Sequence, residues 1–225
     1  MTNPAHRTSW ELIVEAANGA QSARSTFAHS YIPLIRSYLK ERWRHSHLAA
    51  SVDDAVQDVF VECFRQNNPL LRADGRRGGF RSFLLGIVRN VARRIEEGRG
   101  QREQANAETA LAIAPAHEED LATLFDREWA FMVMREAAEL QRQRARESGK
   151  EAIARVQLLE RRFGDDQPIR DIATQSGEDA PHLHRAYAKA RAEFHSCLRE
   201  TVAFHSVRTE VDLDAECRRL LDLLA

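Results

Sequence analysis

The sequence predicts an all-α protein made of two small helical domains joined by a flexible linker. Apolar residues recur at helical spacing through most of the chain, and alternating strand patterns are nearly absent. Of the 225 residues, 43% are hydrophobic and 30% are charged, while the formal net charge is −1. Because disordered chains combine few apolar residues with a large net charge, this composition indicates a folded core.

Residues 1–97 form the first predicted domain, a bundle of about four helices. Three apolar stripes each leave the opposite helix face polar. The stripes are Phe27, Tyr31, Leu34, Ile35, Tyr38 and Leu39; then Ala55, Val56, Val59, Phe60, Cys63 and Phe64; then Phe80, Phe83, Leu84, Ile87, Val88 and Val91. Asn, Pro and Gly residues between the second and third stripes predict a loop over 66–79.

The second predicted domain spans residues 120–204 and follows a linker over 98–119. The linker is expected because Gly, Pro, Ala, Glu and Gln dominate there and helical periodicity is weak. Four helices are expected in the domain: one from Asp120 to Ser148-Gly149, one ending near Gly164, a short one from Pro168 and a last one from Pro181. The tail, 205–225, has the apolar spacing of one short extra helix, which either packs or regulates.

Cysteine usage and hydropathy exclude several classes of protein. Cys63, Cys197 and Cys217 lie far apart with no C-x-x-C pair, which argues against a disulfide scaffold and favours the reducing cytoplasm. No run approaches the roughly 20 apolar residues of a transmembrane helix, and the first ten residues carry no signal-peptide core. We therefore expect a cytoplasmic protein without membrane insertion.

Catalytic and metal-binding signatures are absent from the sequence. There is no phosphate-binding glycine loop, no G-x-S-x-G and no H-E-x-x-H. His45 and His47 lie two residues apart, as do His195 and Cys197, and no second pair completes four zinc ligands. We therefore expect no enzyme activity, no catalytic residue, no cofactor and no metal.

Acidic and amide residues share the face opposite the second apolar stripe. They are Asp53, Asp54, Gln57, Asp58 and Glu62. Carboxylates one turn apart suit an acidic docking face for a basic partner, a plain solvated face, or acid/base and ligand groups. A di-metal bundle site requires Glu-x-x-His on two helices, which the sequence lacks.

Positive charge is concentrated between residues 72 and 99, where eight arginines face three acidic residues. The third apolar stripe leaves a polar face of Arg81, Ser82, Arg89, Asn90, Arg93 and Arg94, and the preceding loop adds Asn67, Asn68, Arg72, Arg76 and Arg77. Arginines beside an Asn-bearing loop suit a nucleic-acid strand with an unstacked base. A solvated basic helix is the alternative.

The strongest local pattern is a helix-turn-helix over 167–194, with Gly177 in the turn. Leu183, Tyr187, Ala190 and Phe194 fall on one stripe of the second helix. The donors off that stripe are His182, His184, Arg185, Lys189 and Arg191. Long donor side chains opposite an apolar stripe are what a major-groove helix requires, although an ordinary surface helix has the same pattern.

Together these segments resemble a bacterial RNA polymerase sigma factor of the extracytoplasmic-function (ECF) type. The family's core-binding helix, D-x-x-Q-[DE]-x-F, is matched by DDAVQDVF at 53–60. Its promoter helix, F-x-x-W-L-x-x-I-x-x-N-x-A, is matched by GFRSFLLGIVRNVA at 79–92, with Phe83 in place of tryptophan. Its C-terminal run, L-x-L-R-[FY] followed by [IY]-x-E-I-A, is similar to LLERRF at 158–163 and IRDIA at 169–173. The likeness covers about residues 10–200.

The resemblance implies the family's second and fourth domains, at 1–97 and 120–204, and no third. It implies that Asp54, Gln57, Asp58 and Glu62 dock on the β′ clamp of core RNA polymerase. The −10 element would be melted and held by Asn67, Asn68, Arg72, Arg76, Arg77, Arg81, Ser82, Arg89, Asn90 and Arg93. The −35 element would be read by His182, His184, Arg185, Lys189 and Arg191.

The implied partners are core RNA polymerase, through its β′ clamp and β flap, and promoter DNA, with an anti-sigma factor as a further candidate. The turn SGEDAP at 176–181 departs from the family's G-[IV]-[ST] turn, and Tyr187 replaces a leucine. Two other functions stay open on the residues alone. One is a free-standing helix-turn-helix regulator with an N-terminal dimerisation or sensor domain, and the other is an all-helical metalloenzyme.

Overall fold

The computed structural model describes residues 9–65, 79–105, 118–205 and 210–224. These residues form nine α-helices and a short 3-10 helix, and none of them lies in a strand. The α-helices are α1 (Ser9–Ala17), α2 (Gln21–Arg42), α3 (Val52–Cys63), α4 (Gly79–Ala105), α5 (Glu118–Ser148), α6 (Lys150–Phe163), α7 (Ile169–Ser176), α8 (Ala180–His205) and α9 (Glu210–Asp222); the 3-10 helix is His47–Ser51. The all-α prediction is confirmed for this part of the chain.

Helix α2 is the centre of the N-terminal bundle. All six residues of its predicted apolar stripe are buried, and α1, α3 and α4 pack against it. Phe27 contacts the rings of Phe60 and Phe80 edge-on, at centroid distances of 5.1 and 6.3 Å. Because edge-to-face ring pairs add stability beyond the area they bury, this aromatic cluster fixes the positions of α3 and α4 relative to α2.

The chain turns sharply where glycine permits a positive φ. Gly149 has φ +99° and separates α5 from α6, as the sequence predicts, and Gly177 has φ +70° between α7 and α8. Both conformations are unfavourable for residues that carry a Cβ. Helix α8 then continues to His205, well past the end of the predicted recognition helix, and α9 confirms the expected extra helix in the tail.

The two groups of helices share one hydrophobic core. Trp129 of α5 stacks on Tyr31 of α2 with 6.0 Å between ring centroids and lies as close to Phe80 of α4. Helix α5 packs along α2, and α9 packs on α8 and α5. Core residues from Leu12 to Leu220 form a single cluster. Two smaller clusters lie apart from it, one between α6, α7 and α8 and the other between α5 and α6. The predicted separation into two domains is therefore not confirmed.

Part of the predicted linker is helical. Residues 98–105 continue α4 and residues 118–119 begin α5, whereas 106–117 lie outside the described residues. Gly98 costs the helix about 1 kcal/mol relative to alanine, but the Arg, Glu, Gln and Ala residues around it are good helix formers. The glycine was therefore a weaker boundary than the sequence suggested.

Among the described helices, none combines the length and the apolar character needed to cross a bilayer.

Candidate functional site

Helix α3 presents an acidic face to solvent. Its buried side is formed by Val52, Ala55, Val56, Val59 and Cys63. On the opposite side Asp54, Gln57 and Asp58 are exposed, as the apolar spacing predicts. Neither Asp54 nor Asp58 forms an ion pair with another described residue. Asp53 differs, because its Oδ1 accepts hydrogen bonds from Nε and Nη2 of Arg36 at 3.0 and 2.9 Å.

Glu62, the fourth predicted docking residue, lies at the edge of this face. It is half-buried, and its Oε2 lies 3.6 Å from Arg94 and 3.8 Å from Arg65. The predicted set therefore divides into three outward residues and one that lies near Arg94 of α4. Asp54, Gln57 and Asp58 are called the acidic face below.

An apolar groove adjoins the acidic face and was not foreseen from the sequence. Val61 lies one turn beyond Asp58 and is 68% exposed, which is unusual for a valine in a helix. The groove has a volume of about 880 Å³ and is lined by Gln21, Arg24, Ser25, Ala28, Phe60, Val61, Glu62, Phe64, Arg65 and Arg94. A helical period predicts which face is buried, but it does not predict an exposed apolar residue on the other face.

Two of the predicted strand-binding arginines are engaged by α5. Arg81 forms an ion pair with Asp126, and Nε of Arg89 lies 3.1 Å from Oε2 of Glu118. Both arginines are half-buried, so the expectation that they project freely from α4 is wrong. The reason is that α5 lies beside α4, a neighbour that periodicity within α4 could not indicate.

The other predicted strand-binding residues of α4 are accessible. Ser82, Asn90 and Arg93 are exposed, as expected from their positions opposite the apolar stripe. The remaining predicted residues of this group, Asn67, Asn68, Arg72, Arg76 and Arg77, lie outside the described residues. The structure therefore places an open polar strip on α4 beside the two ion-paired arginines.

Arg42 and Glu96 form a half-buried ion pair that holds α2 against α4. Nε and Nη2 of Arg42 donate to the two carboxylate oxygens of Glu96 at 2.7 and 3.0 Å, and Nη1 donates to Glu118 at 2.6 Å. Trp43 Nε1 donates to Glu96 at 2.8 Å. Burial alone would raise the pKa of Glu96, but these donors outweigh it and keep that pKa below its usual value.

Helices α7 and α8 are joined by a turn at Gly177, where the sequence predicts one. The N–H of Gly177 donates to Ala173 O at 2.9 Å, which ends α7 in a left-handed cap. Asp179 Oδ2 accepts a hydrogen bond from the backbone N–H of His182 at 3.2 Å, so this acid caps α8. Leu183 and Ala190 lie on the buried side of α8.

The outer face of α8 carries all five predicted −35 residues in exposed positions: His182, His184, Arg185, Lys189 and Arg191. The guanidinium of Arg191 lies over the Tyr187 ring at 5.9 Å, and Tyr187 lies 6.2 Å from Phe163. Phe163 is 66% exposed, so an aromatic patch adjoins the basic face. These five positively charged or titratable side chains are called the basic face below.

A buried polar network joins α2, α5 and α8. Glu136 accepts a hydrogen bond from Ser30 Oγ at 2.7 Å and lies 2.8 Å from His205 Nε2. The other ring nitrogen, His205 Nδ1, lies 2.9 Å from the hydroxyl of Tyr31. Burial by itself raises the pKa of Glu136, but the hydrogen bond and charge of His205 and the Ser30 hydroxyl together lower it below its usual value.

The described residues include neither a metal-ligand cluster nor an exposed thiol. Within the described ranges, no group of three or more His, Cys, Asp or Glu side chains could hold a metal ion. Cys63, Cys197 and Cys217 are free and buried, and burial raises the pKa of each thiol.

No family model, curated protein or solved structure matches the chain. The likeness to ECF sigma factors therefore rests on the residue patterns of the sequence alone.

Proposed function

We propose that the chain is a transcription initiation factor of the ECF sigma type, which binds core RNA polymerase and directs it to promoter DNA. The observation that carries the proposal is the opposite charge of its two outward helix faces. The acidic face on α3 suits a basic protein surface, and the basic face on α8 suits DNA. A factor of this kind acts in the cytoplasm, forms no bonds itself and needs no cofactor, since the polymerase performs the chemistry.

Docking on polymerase would use the acidic face and the adjoining groove. Asp54 and Asp58 lie one turn apart and have no ion pair with another described residue, so they can pair with basic side chains without breaking an internal contact. Val61 extends the same stripe with an apolar anchor. An apolar anchor beside complementary charges is the usual arrangement of a specific protein interface.

DNA would be contacted by α8 and α4. The basic face projects from a helix whose other side is fixed by Leu183 and Ala190, and a helix held in this way can enter the major groove. Ser82, Asn90 and Arg93 of α4 offer donors to a single strand. Base edges accept hydrogen bonds from such donors, and arginines neutralise the negative charge of the backbone phosphates.

A free-standing helix-turn-helix regulator is favoured by one observation. The hydrophobic core runs without a break from the N-terminal bundle to α8 and α9. In this alternative the N-terminal helices support the DNA-binding helices directly, and the acidic face is a dimerisation or sensor surface.

Transcription with purified components distinguishes the two functions. The sigma-factor proposal requires promoter-dependent run-off transcripts when the chain is added to bacterial core RNA polymerase on genomic fragments. Specific binding to duplex DNA without polymerase, and no transcripts with it, would favour the free-standing regulator.

The docking surface is tested by Asp58→Arg in a core-polymerase pull-down. We expect association to fall at least about tenfold, because the substitution places a cation where a carboxylate meets a basic partner. Folding should be unchanged, since exposed substitutions usually alter stability by less than about 0.5 kcal/mol. The matched control is Asp222→Arg, the same charge reversal at an exposed position in α9. Unaltered association of Asp58→Arg, or an equal loss in the control, would contradict the assignment.

A further inference from the structure

Helices α4 and α5 are joined by two ion pairs in matching register. Arg81 pairs with Asp126, and Arg89 pairs with Glu118. The two arginines are eight residues apart on α4, and the two acids are eight residues apart on α5. The order of the pairs shows that the two helices run in opposite directions. At 1.5 Å per residue, eight residues span about 12 Å of helix. Two carboxylates thus lie about 12 Å apart along α5, each opposite an arginine of the proposed strand-binding surface.

This spacing lets both arginines reach phosphates of one strand. Phosphates of one strand follow each other at about 3.4 Å along the axis of a duplex, so 12 Å covers about three to four of them. A carboxylate carries negative charge on oxygen, as a phosphate does. The α5 carboxylates therefore supply, through ion pairs, the negative charge that a nucleic-acid backbone would bring to the two arginines.

Neighbouring cations hold both carboxylates in place. Glu118 also accepts from Arg42 at 2.6 Å, and Asp126 lies 3.9 Å from Arg219 of α9. Arg219 is itself fixed by hydrogen bonds to Glu216 at 3.0 and 3.1 Å. The C-terminal helix thus contacts the acid that pairs with Arg81.

We propose that Glu118 and Asp126 act as an internal substitute for nucleic-acid phosphates, which occupies Arg81 and Arg89 in the free protein and lowers its affinity for single-stranded DNA. This regulation rests on the proposed function, because it assumes that α4 contacts a strand. A strand must displace both carboxylates before the two arginines can bind its backbone. Polymerase, by holding the strand close to α4, supplies the local concentration at which displacement is favourable.

The test compares two double variants that remove the same charge from the same helix. Glu118→Gln with Asp126→Asn removes the two pairing carboxylates. Glu119→Gln with Asp120→Asn removes two exposed carboxylates that form no ion pair with a described residue. Affinity for a fluorescein-labelled single-stranded oligonucleotide is measured by anisotropy over a range of salt concentrations, after circular dichroism has shown that each variant is folded.

We expect the first double variant to bind about three- to tenfold more tightly than wild type, since each partly exposed pair contributes up to about fivefold. Without polymerase, wild type binds the strand through its other cations, because Arg81 and Arg89 stay paired with α5. The log–log salt slope of the variant should therefore be steeper by up to about 1.4, since two further cations reach phosphates at about 0.7 per contact on a single strand. The control variant should stay within about twofold of wild type with an unchanged slope. Should the first variant fail to fold, Asp126→Asn alone is compared with Asp120→Asn.

Equal gains in both double variants would overturn the proposal, because they would show a general charge effect. No gain in the first variant, with wild type binding the strand, would overturn it and leave the proposed function intact. Absence of strand binding by every variant, alone and with core polymerase, would overturn both. Adding Arg81→Ala and Arg89→Ala to the first variant should abolish its gain, and retention of the gain would also count against the proposal.

Discussion

Replacing Glu136 with alanine should destabilise the whole helical assembly, because this one carboxylate connects three helices. It lies on α5, accepts from Ser30 of α2 at 2.7 Å and contacts His205 of α8 at 2.8 Å. Ser30 and Glu136 lie on opposite sides of the predicted linker. Loss of the carboxylate therefore tests whether the helices on either side of residues 106–117 unfold as a unit.

The magnitude follows from the two contacts. A hydrogen bond to a charged group contributes about 1.5–3 kcal/mol, and one from a hydroxyl contributes about 1 kcal/mol. The Glu136 side chain is 31% exposed, so water replaces part of the loss. We therefore expect about 2 kcal/mol, which lowers the Tm of a protein of this size by about 4–8 °C.

The assay is urea unfolding followed by circular dichroism and by tryptophan fluorescence, since Trp129 lies in the shared core. Glu136→Gln should cost less than Glu136→Ala, because the amide can bond both neighbours once the His205 tautomer exchanges. Glu139→Ala, an exposed glutamate on the same helix, is the control. Its ion pairs with Arg142 and Arg146 lie at the surface, so their loss should cost much less than the loss of the Glu136 contacts. A loss no larger in Glu136→Ala than in this control, or separate transitions for the two probes, would refute the reasoning.

The same variant has a defined pH dependence. Although burial opposes it, contact with His205 and Ser30 keeps the pKa of Glu136 below its usual value. A carboxyl with a lowered pKa in the folded state stabilises the protein above the pKa of the unfolded state and loses this effect as the pH falls through the folded pKa. The difference between wild type and Glu136→Ala should therefore be present at pH 7 and shrink below about pH 4.5.

Two further predictions concern thiols and glycines. Cys63, Cys197 and Cys217 should not react with Ellman's reagent in native buffer at pH 8, because burial raises the pKa of all three and brings that of Cys217 to about 11; rapid reaction before unfolding would contradict this. Gly177→Ala should lower the free energy of unfolding by about 1–2 kcal/mol, because Gly177 has a positive φ. Gly86→Ala in α4 should raise the free energy of unfolding by about 0.5–1 kcal/mol. Thermal unfolding of the two variants checks both signs.

Local periodicity and turn chemistry predicted much of the fold. The stripe from Phe27 to Leu39 is buried as expected, and the breaks at Gly149 and Gly177 fall where the sequence places them. These features depend on residues within one or two turns of each other, so they are visible in a single segment. The exposed positions of Asp58 and Lys189 follow from the same periodicity.

Contacts between distant segments could not be predicted in this way. Tyr31 and His205 lie 174 residues apart in sequence, and nothing local to either residue indicates the other. The sequence predicted a helix from Asp120, but not that α5 would pack against α2 and α4. The pairing of Arg81 and Arg89 with α5 is a consequence of that packing, so local sequence patterns could not predict it either.

The strand binding that we propose requires only an exchange of ion-pair partners at the edge of the α4–α5 interface, and the helices need not separate. Leu121, Phe125 and Trp129 anchor α5 with at most 3% exposure, and exposing three such side chains would cost about 5–9 kcal/mol. The two ion pairs lie beside these anchors and remain partly exposed, so breaking each costs about 1 kcal/mol or less. Phosphates that take the place of the carboxylates recover that energy at once. The lower-energy route therefore leaves α5 packed on α2 while Arg81 and Arg89 turn from its carboxylates to the strand.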